Sequence, residues 1–201
     1  MNTIYKNITN NERVVEIAFI CEYLKNNCNT KTKILDVGGI PSDFQDHLPM
    51  TMTLREINPI YKICDFRGGD YKGDFVQLDI RETFDIIIFL SSLEHFNQCP
   101  EGDKIFRDGE DRKGFEKALS LLNPNGVILL TVPFGKFRWQ PYHQNYDQQG
   151  INNLTKDSII EQEYIYILDK DNWIQTLPEN TTEIIYDNKC HCVGCFVLRK
   201  Q

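Results

Sequence analysis

Residues 33–44 read KILDVGGIPSDF: a short apolar run, an acid, two adjacent glycines, then a proline and a serine. A strand that ends in a carboxylate and runs straight into Gly38 and Gly39 brings bare backbone to one point on a sheet edge. In open α/β sheets, ligands bind at the carboxyl ends of strands where the topology reverses, and glycine lets the backbone approach them. Asp36, Gly38 and Gly39 are therefore the first candidate ligand residues.

Outward from this stretch, the strong apolar runs are KILDV (33–37), TMTLREI (51–57), FVQLDI (75–80), FDIIIFL (84–90) and GVILLTV (126–132). Each is short and bounded by Gly, Pro, Asn or Asp, so five strands is the simplest reading. Several are almost continuously apolar, as strands covered on both faces of a parallel sheet must be. RKGFEKALSLL (112–122) supplies a crossover helix, and 11–27 carries Val14, Val15, Ala18, Phe19, Tyr23 and Leu24 near helical spacing. The expected class is α/β, doubly wound and mostly parallel. The interval 58–74 is short and glycine-rich and reads as mostly loop. After the fifth strand come aromatic and amide residues, a helix expected near 156–163, and three further strands: EYIYIL (163–168), TEIIY (182–186) and VGCFVLRK (193–200). We read one domain over 1–201, with an N-terminal helical segment (1–30) and flap or lid insertions at 97–112 and 136–155.

The chain has 201 residues, 41% hydrophobic and 25% charged, with a formal net charge of -7. That is enough for one real core, and its field repels a nucleic-acid backbone overall, so a small-molecule partner is expected. No apolar run approaches the ~20 residues that span a bilayer, and the N-terminal ten residues lack a signal-peptide core, which points to the cytoplasm without membrane insertion. The odd count of seven cysteines reads as reduced thiols. CHCVGC (190–195) lacks a second Cys-x-x-Cys pair and continues into FVLRK, so a buried terminal strand is expected there, and no metal. The acids Glu101, Asp103, Asp108, Glu110 and Asp111 lack the alternation of a calcium loop and read as a solvated flap.

Twenty positions after Asp36, at the expected second-strand end, Glu56 can accept hydrogen bonds from both hydroxyls of a ribose. At the third strand end, Asp79 offers a carboxylate for an exocyclic amine and Ile80 an apolar surface for a purine face. Crowded carboxylates disfavour a pyrophosphate and favour a cationic sulfonium with a free amino group, which points to S-adenosylmethionine.

These stretches resemble class I S-adenosylmethionine-dependent methyltransferases over about residues 30–135 plus the final strand. ILDVGG is similar to the family's first motif, REINP to its second-strand acid, QLDI to its adenine-contacting acid, and LNPNGVILLTVP to its approach to the fifth strand. SSLEHF resembles the Glu-His segment of many small-molecule and glycan-modifying members. Ile40 and Ser42 depart from the family's glycine, any residue, glycine continuation. The resemblance implies a seven-stranded sheet with a last antiparallel strand ending near VGCFVLRK. It also implies that Asp36, Gly38 and Gly39 border the methionine moiety, Glu56 and Ile57 the ribose, and Asp79 and Ile80 the adenine, with Ser91 and Leu93 on the reaction-centre side.

A base is needed only where the acceptor carries a proton. His95 is the best-placed candidate, with a backbone-bonded loop histidine as the alternative, and Glu94 either orients it or contacts the cofactor's amino end. His143, in an aromatic and amide-rich segment with Tyr142, Asn145 and Tyr146, is a second candidate on the acceptor side. The implied activity is methyl transfer to a small polar acceptor, foremost an oxygen of a carbohydrate or cell-surface polysaccharide precursor such as a sugar or sugar-phosphate derivative. The rivals are a non-catalytic cofactor-binding or scaffolding module and an NAD-dependent oxidoreductase, whose Gly-x-Gly-x-x-Gly loop GGIPSDF does not provide.

Overall fold

The computed structural model describes residues 4–6, 11–39, 48–98, 107–139, 143–186 and 189–201. In chain order the first half contains β1 (Ile4–Lys6), α1 (Arg13–Asn27), β2 (Lys33–Val37), α2 (Leu48–Ile57), β3 (Ile60–Asp65), β4 (Tyr71–Lys72) and β5 (Phe84–Leu90). The second half contains α3 (Glu110–Leu121), β6 (Leu122–Pro133), β7 (Arg138–Trp139), β8 (Gln144–Asn145), α4 (Gln148–Leu154), β9 (Ser158–Asp169), β10 (Asn172–Thr176) and β11 (Cys192–Lys200).

Among the described residues the main sheet has nine strands in the order β1-β10-β9-β11-β6-β5-β2-β3-β4. The seven-stranded sheet that the resemblance implies is widened to nine by the short edge strands β1 and β4, and β3 and β10 stand where the sequence reading had no strand. From β4 to β6 the neighbours are parallel, while β11 runs antiparallel between β6 and β9. The chain leaves β2 for β3 and β4, then returns to β5 on the opposite side of β2. The order therefore reverses between β2 and β5, as a doubly wound α/β sheet requires.

Alternation along the strands divides the core. Ile34, Ile86 and Ile88 face α1 and α2, meeting Ile20, Leu24 and Met50. Leu35, Ile87 and Phe89 face α3 and α4, meeting Phe115, Leu119 and Ile151. Burying each such side chain contributes about 1.5–3 kcal/mol, and both faces of β2 and β5 are covered, which is why their sequences are continuously apolar.

Five expectations are corrected. TMTLREI is not a strand but the body of α2, because Met50, Thr53, Leu54 and Ile57 fall at helical spacing and turn inward while Met52, Arg55 and Glu56 stay exposed. The helix ends at Asn58, whose φ of 54° and N–H bond to the Leu54 carbonyl (2.8 Å) form a left-handed stop. The second strand is IYKICD, inside the interval read as loop. FVQLDI is a turn: Asp74 Oδ1 accepts from the Val76 N–H at 2.9 Å, and the Asp74 carbonyl accepts from Gln77 and Leu78. Residues 156–163 mostly begin β9 rather than a helix, and TEIIY is turn and coil. The segment 136–155 carries the β7–β8 pair and α4, whose first turn is capped by Asp147 accepting from the Gly150 N–H at 2.7 Å. Ile40, Ser42, Glu101, Asp103 and Tyr142 lie outside the described residues.

Candidate functional site

A cavity of about 460 Å³ opens at the carboxyl ends of β2, β3 and β5, where the topology reverses. Two short backbone approaches build its floor. Gly38 has φ +81°, and a Cβ on it would lie 2.5 Å from the Ser92 Cβ, so only glycine lets the β2 end meet the β5 end. The Ser92 hydroxyl donates to the Val37 carbonyl at 2.6 Å, and the Gly38 N–H to the Cys64 carbonyl at 2.8 Å. A Cβ on Gly39 would stand 2.8 Å from the Asp36 carboxylate.

Asp36 is 4% exposed. Its Oδ2 accepts from the Tyr61 hydroxyl, and its Oδ1 has no hydrogen-bond partner. Burial pushes its carboxyl up to about 6, with Tyr61 and Arg13 pulling the other way. The cavity wall continues through Asp65, at the end of β3, and the exposed ring of Phe66. Asp65 Oδ1 accepts from the Arg67 N–H at 2.8 Å, and the carboxylate also meets the Arg67 side chain. Asp74, Phe75 and Val76 close the far end, with Phe75 edge-on to Phe89 and Phe96 at 6.0 and 6.2 Å.

At the β5 end, Ser91 has a left-handed φ of 42°, held by its N–H bonds to the Thr131 carbonyl (3.1 Å) and hydroxyl (3.0 Å). Its own hydroxyl donates to the fully buried Glu16, which pairs with Arg13 at 2.7 Å. Glu94 follows in a short 3-10 turn, Leu93–His95. Its carboxyl is pushed up to about 8 by burial and then by Glu16 and Glu12, against its own backbone N–H and Arg13. His95 is open to solvent where Glu94 is not: its side chain is 54% exposed and lines the cavity. Its Nε2 is 3.9 Å from Glu94 Oε1, too long for a hydrogen bond.

No protein-family model and no curated relative matches the chain. Solved structures do. 1,6-didemethyltoxoflavin-N1-methyltransferase from Burkholderia thailandensis, with 1,6-didemethyltoxoflavin and S-adenosylhomocysteine bound, is 14% identical at TM-score 0.58, covering 94% of this chain and 78% of that one. An S-adenosylmethionine-dependent methyltransferase from Clostridium acetobutylicum ATCC 824 gives 14% identity and TM-score 0.51 over 92% and 90% of the two chains. The N-methyltransferase NodS from Bradyrhizobium japonicum WM9, complexed with S-adenosylhomocysteine, gives 9% and 0.52 over 96% and 91%. The fold is that of the class I S-adenosylmethionine-dependent methyltransferases.

On this methyltransferase fold, Asp36, Gly38, Gly39, Ser91 and His95 come together around one cavity. The other expected residues do not line it. Glu56 is exposed on α2, and Ile57 packs beside the α1–α2 core, because the segment carrying them is helical. Asp79 is exposed and paired with Arg81 at 2.7 Å, and Ile80 is buried in the α3–α4 core, because the Asp74 turn ends before them. Leu93 and Glu94 are buried beneath the floor. His143, set back from the cavity, places its ring 4.3 Å from that of Tyr186 and 6.3 Å from that of His95, and burial lowers its pKa.

The residues missed by the sequence reading are Arg13, Asp65, Asp74, Phe75 and Val76. One signal could have found the acid. Reading 48–57 as a helix moves the second strand to IYKICD and puts Asp65 at its end, in register beyond the Val37–Cys64 pair.

Among the described residues no group of three or more His, Cys, Asp or Glu is arranged to hold a metal ion. Burial pushes the thiols of Cys190, Cys192 and Cys195 up, away from the thiolate form a metal needs. Among the same residues no helix is long and apolar enough to cross a membrane.

Proposed function

We propose that the protein binds S-adenosylmethionine in this cavity and catalyses methyl transfer to a small polar acceptor. The observation that carries the reading is the buried, unpartnered Asp36 Oδ1 beside the Gly38–Gly39 approach, at the point where the strand order reverses. A buried acceptor without a partner fits a ligand that brings N–H donors and positive charge, and the glycines leave the room such a ligand needs.

On this reading Asp36, Gly38, Gly39 and Ser91 hold the amino-acid end of the cofactor. Asp65 takes the ribose role expected of Glu56 and Ile57, and Asp74, Phe75 and Val76 take the adenine side expected of Asp79 and Ile80. Leu93 supports the floor from below. The bound cofactor supplies a methyl group on a sulfonium that leaves as a neutral thioether, so the protein's chief task is alignment. His95, exposed on the cavity wall, is the residue we assign to carry a proton away, and His143 flanks it.

The solved neighbours include an N-methyltransferase and a 7-O-methyltransferase, so they favour neither atom. A carbohydrate-like acceptor is supported by the exposed rings of Phe137 and Trp139 at and beside β7, surfaces on which a sugar can stack. The choice of oxygen rests on the resemblance of Glu94-His95 to glycan-modifying enzymes, and it weakens because the two side chains, 3.9 Å apart, are not hydrogen-bonded to each other.

Calorimetry with S-adenosylhomocysteine tests the reading. Binding that Asp65→Ala weakens and Glu56→Ala leaves unchanged is expected. Absence of binding by the folded protein would remove the cofactor site, and NAD binding in its place would restore the oxidoreductase.

A further inference from the structure

The far end of the cavity is walled by a turn, and one cation carried by α3 holds that turn from outside the wall. Asp74, Phe75 and Val76 close this end and belong to no helix or strand. No ladder of backbone bonds therefore ties them to the sheet. Within the turn, Asp74 accepts only from its own near neighbours, Val76, Gln77 and Leu78. Such local bonds fold the segment without fixing where it sits.

Two anchors fix it. The first is the Phe75 ring, buried and edge-on to Phe89 and Phe96. The second is Lys117, whose Nζ donates to the Val76 carbonyl at 3.3 Å and to the Leu78 carbonyl, main-chain groups 41 and 39 residues away. The same ammonium stands 5.2 Å from the centroid of the Phe75 ring, where the ring's quadrupole attracts it. Hydrogen bonds from a charged donor are stronger than those between neutral groups.

The helix that carries this ammonium is firmly seated, since Phe115, Ala118 and Leu119 are buried in the core beneath it. Its neighbours on the helix serve otherwise: Arg112 pairs with Glu116 and Asp157, and Lys113 pairs with Glu110. Burial lowers the Lys117 pKa, while Cys64, Asp74 and Asp79 act the other way. Lys117 itself does not line the cavity, but Phe75 and Val76, which it grips, do.

Resting on the methyl-transfer reading, we propose that Lys117 is the positioning residue of the adenine end: its ammonium fixes the Asp74–Leu78 turn, and through it the wall against which the base of the cofactor lies. It touches neither cofactor nor acceptor. Without the ammonium, the Val76 and Leu78 carbonyls turn to water and the segment is free to shift. A ligand must then order the wall as it binds, which costs affinity. The loss belongs to the adenosine half of the ligand, because the Asp36, Gly38 and Gly39 end is built from β2 and has no contact with this turn's anchor.

The test is calorimetry on the full chain with two ligands, S-adenosylhomocysteine and methylthioadenosine, which keeps the adenosine half and lacks the amino-acid end. Lys117→Met preserves the length of the side chain and removes its donors, and Lys117→Arg keeps both charge and donors. We expect Lys117→Met to weaken both ligands by the same factor, about tenfold, and Lys117→Arg to bind them within about threefold of the wild type. A lysine that merely supports the fold would lower the unliganded thermal midpoint and leave the affinities of the folded chain unchanged, and that result overturns the proposal. A loss confined to S-adenosylhomocysteine overturns it too, since the effect would then lie at the amino-acid end. Should Lys117→Met not fold, nitrogen-15 spectroscopy of the wild type decides: slower exchange of the Lys117 ammonium protons on adding methylthioadenosine supports the grip, and unchanged exchange overturns it. A wild type that binds neither ligand overturns the cofactor reading and this inference with it, whereas a wild type and a Lys117→Met variant that bind both equally overturn the role of Lys117 alone.

Discussion

The ends of β2 and β5 lie side by side, and each carries a buried carboxyl, yet the two are treated differently. Asp36 shares its charge with the Tyr61 hydroxyl and opens on the cavity; Glu94 has only its own backbone N–H and the distant help of Arg13 against two other acids. Burial raises both, and the difference in partners sets Asp36 at about 6 and Glu94 at about 8. The lesson is that partners, not burial alone, set a buried carboxyl: a neighbouring hydroxyl and a guanidinium favour the charged form at the β2 end, whereas two nearby acids favour the protonated form at the β5 end.

The largest test of that comparison is pH. Both folded-state values lie above the ordinary ones of 3.8 and 4.5, so between about pH 4 and pH 8 the folded chain binds more protons than the unfolded chain. Stability contributed by these groups is present at low pH and is lost as pH rises through the folded values, by a total on the order of a few kcal/mol. Chemical denaturation across this range should show the fall, flattened more by Glu94→Gln, mainly from about pH 5 to 8, than by Asp36→Asn, from about pH 4 to 6. Equal flattening would erase the distinction between the two sites.

Gly38 joins the two ends, so Gly38→Ala should be the most damaging change there. Its left-handed backbone and the 2.5 Å approach to Ser92 predict a loss of about 2–4 kcal/mol, read as a lowered denaturation midpoint with an unchanged slope. Full stability would mean the strand ends part easily. On the β5 side alone, His95→Ala should lower turnover by about 10²-fold and leave S-adenosylhomocysteine affinity within about threefold. Collapse of that affinity in a folded variant would move His95 to the cofactor side.

On the β2 side alone, Asp65→Ala should weaken S-adenosylhomocysteine by about 1–3 kcal/mol through loss of charge-assisted hydrogen bonds, while Glu56→Ala has no effect by calorimetry. The reverse pattern would return the ribose role to α2. Smallest of all, excess chelator should leave the thermal midpoint unchanged, and elemental analysis should find no stoichiometric zinc; one zinc per chain would make the cysteines near β11 a metal site.

Sequence alone determined what local chemistry dictates. KILDV, FDIIIFL, GVILLTV and VGCFVLRK read as strands because strands buried on both faces can hold little but apolar residues, and Asp36-Val37-Gly38-Gly39 read as a ligand loop because glycine is needed where backbones meet. Tertiary structure decided what depends on distant partners. TMTLREI suits either a strand or a helix by composition, and the contact of its inward face with α1 selected the helix, carrying Glu56 to solvent and leaving Asp65 at the strand end. FVQLDI lost its strand to a side chain, Asp74, that folds the backbone back on itself. The network that fixes β8 had no trace in the spacing, since Asp111 grips Gln144 and Tyr146 across more than thirty residues, a contact that exists only once α3 has docked on the sheet.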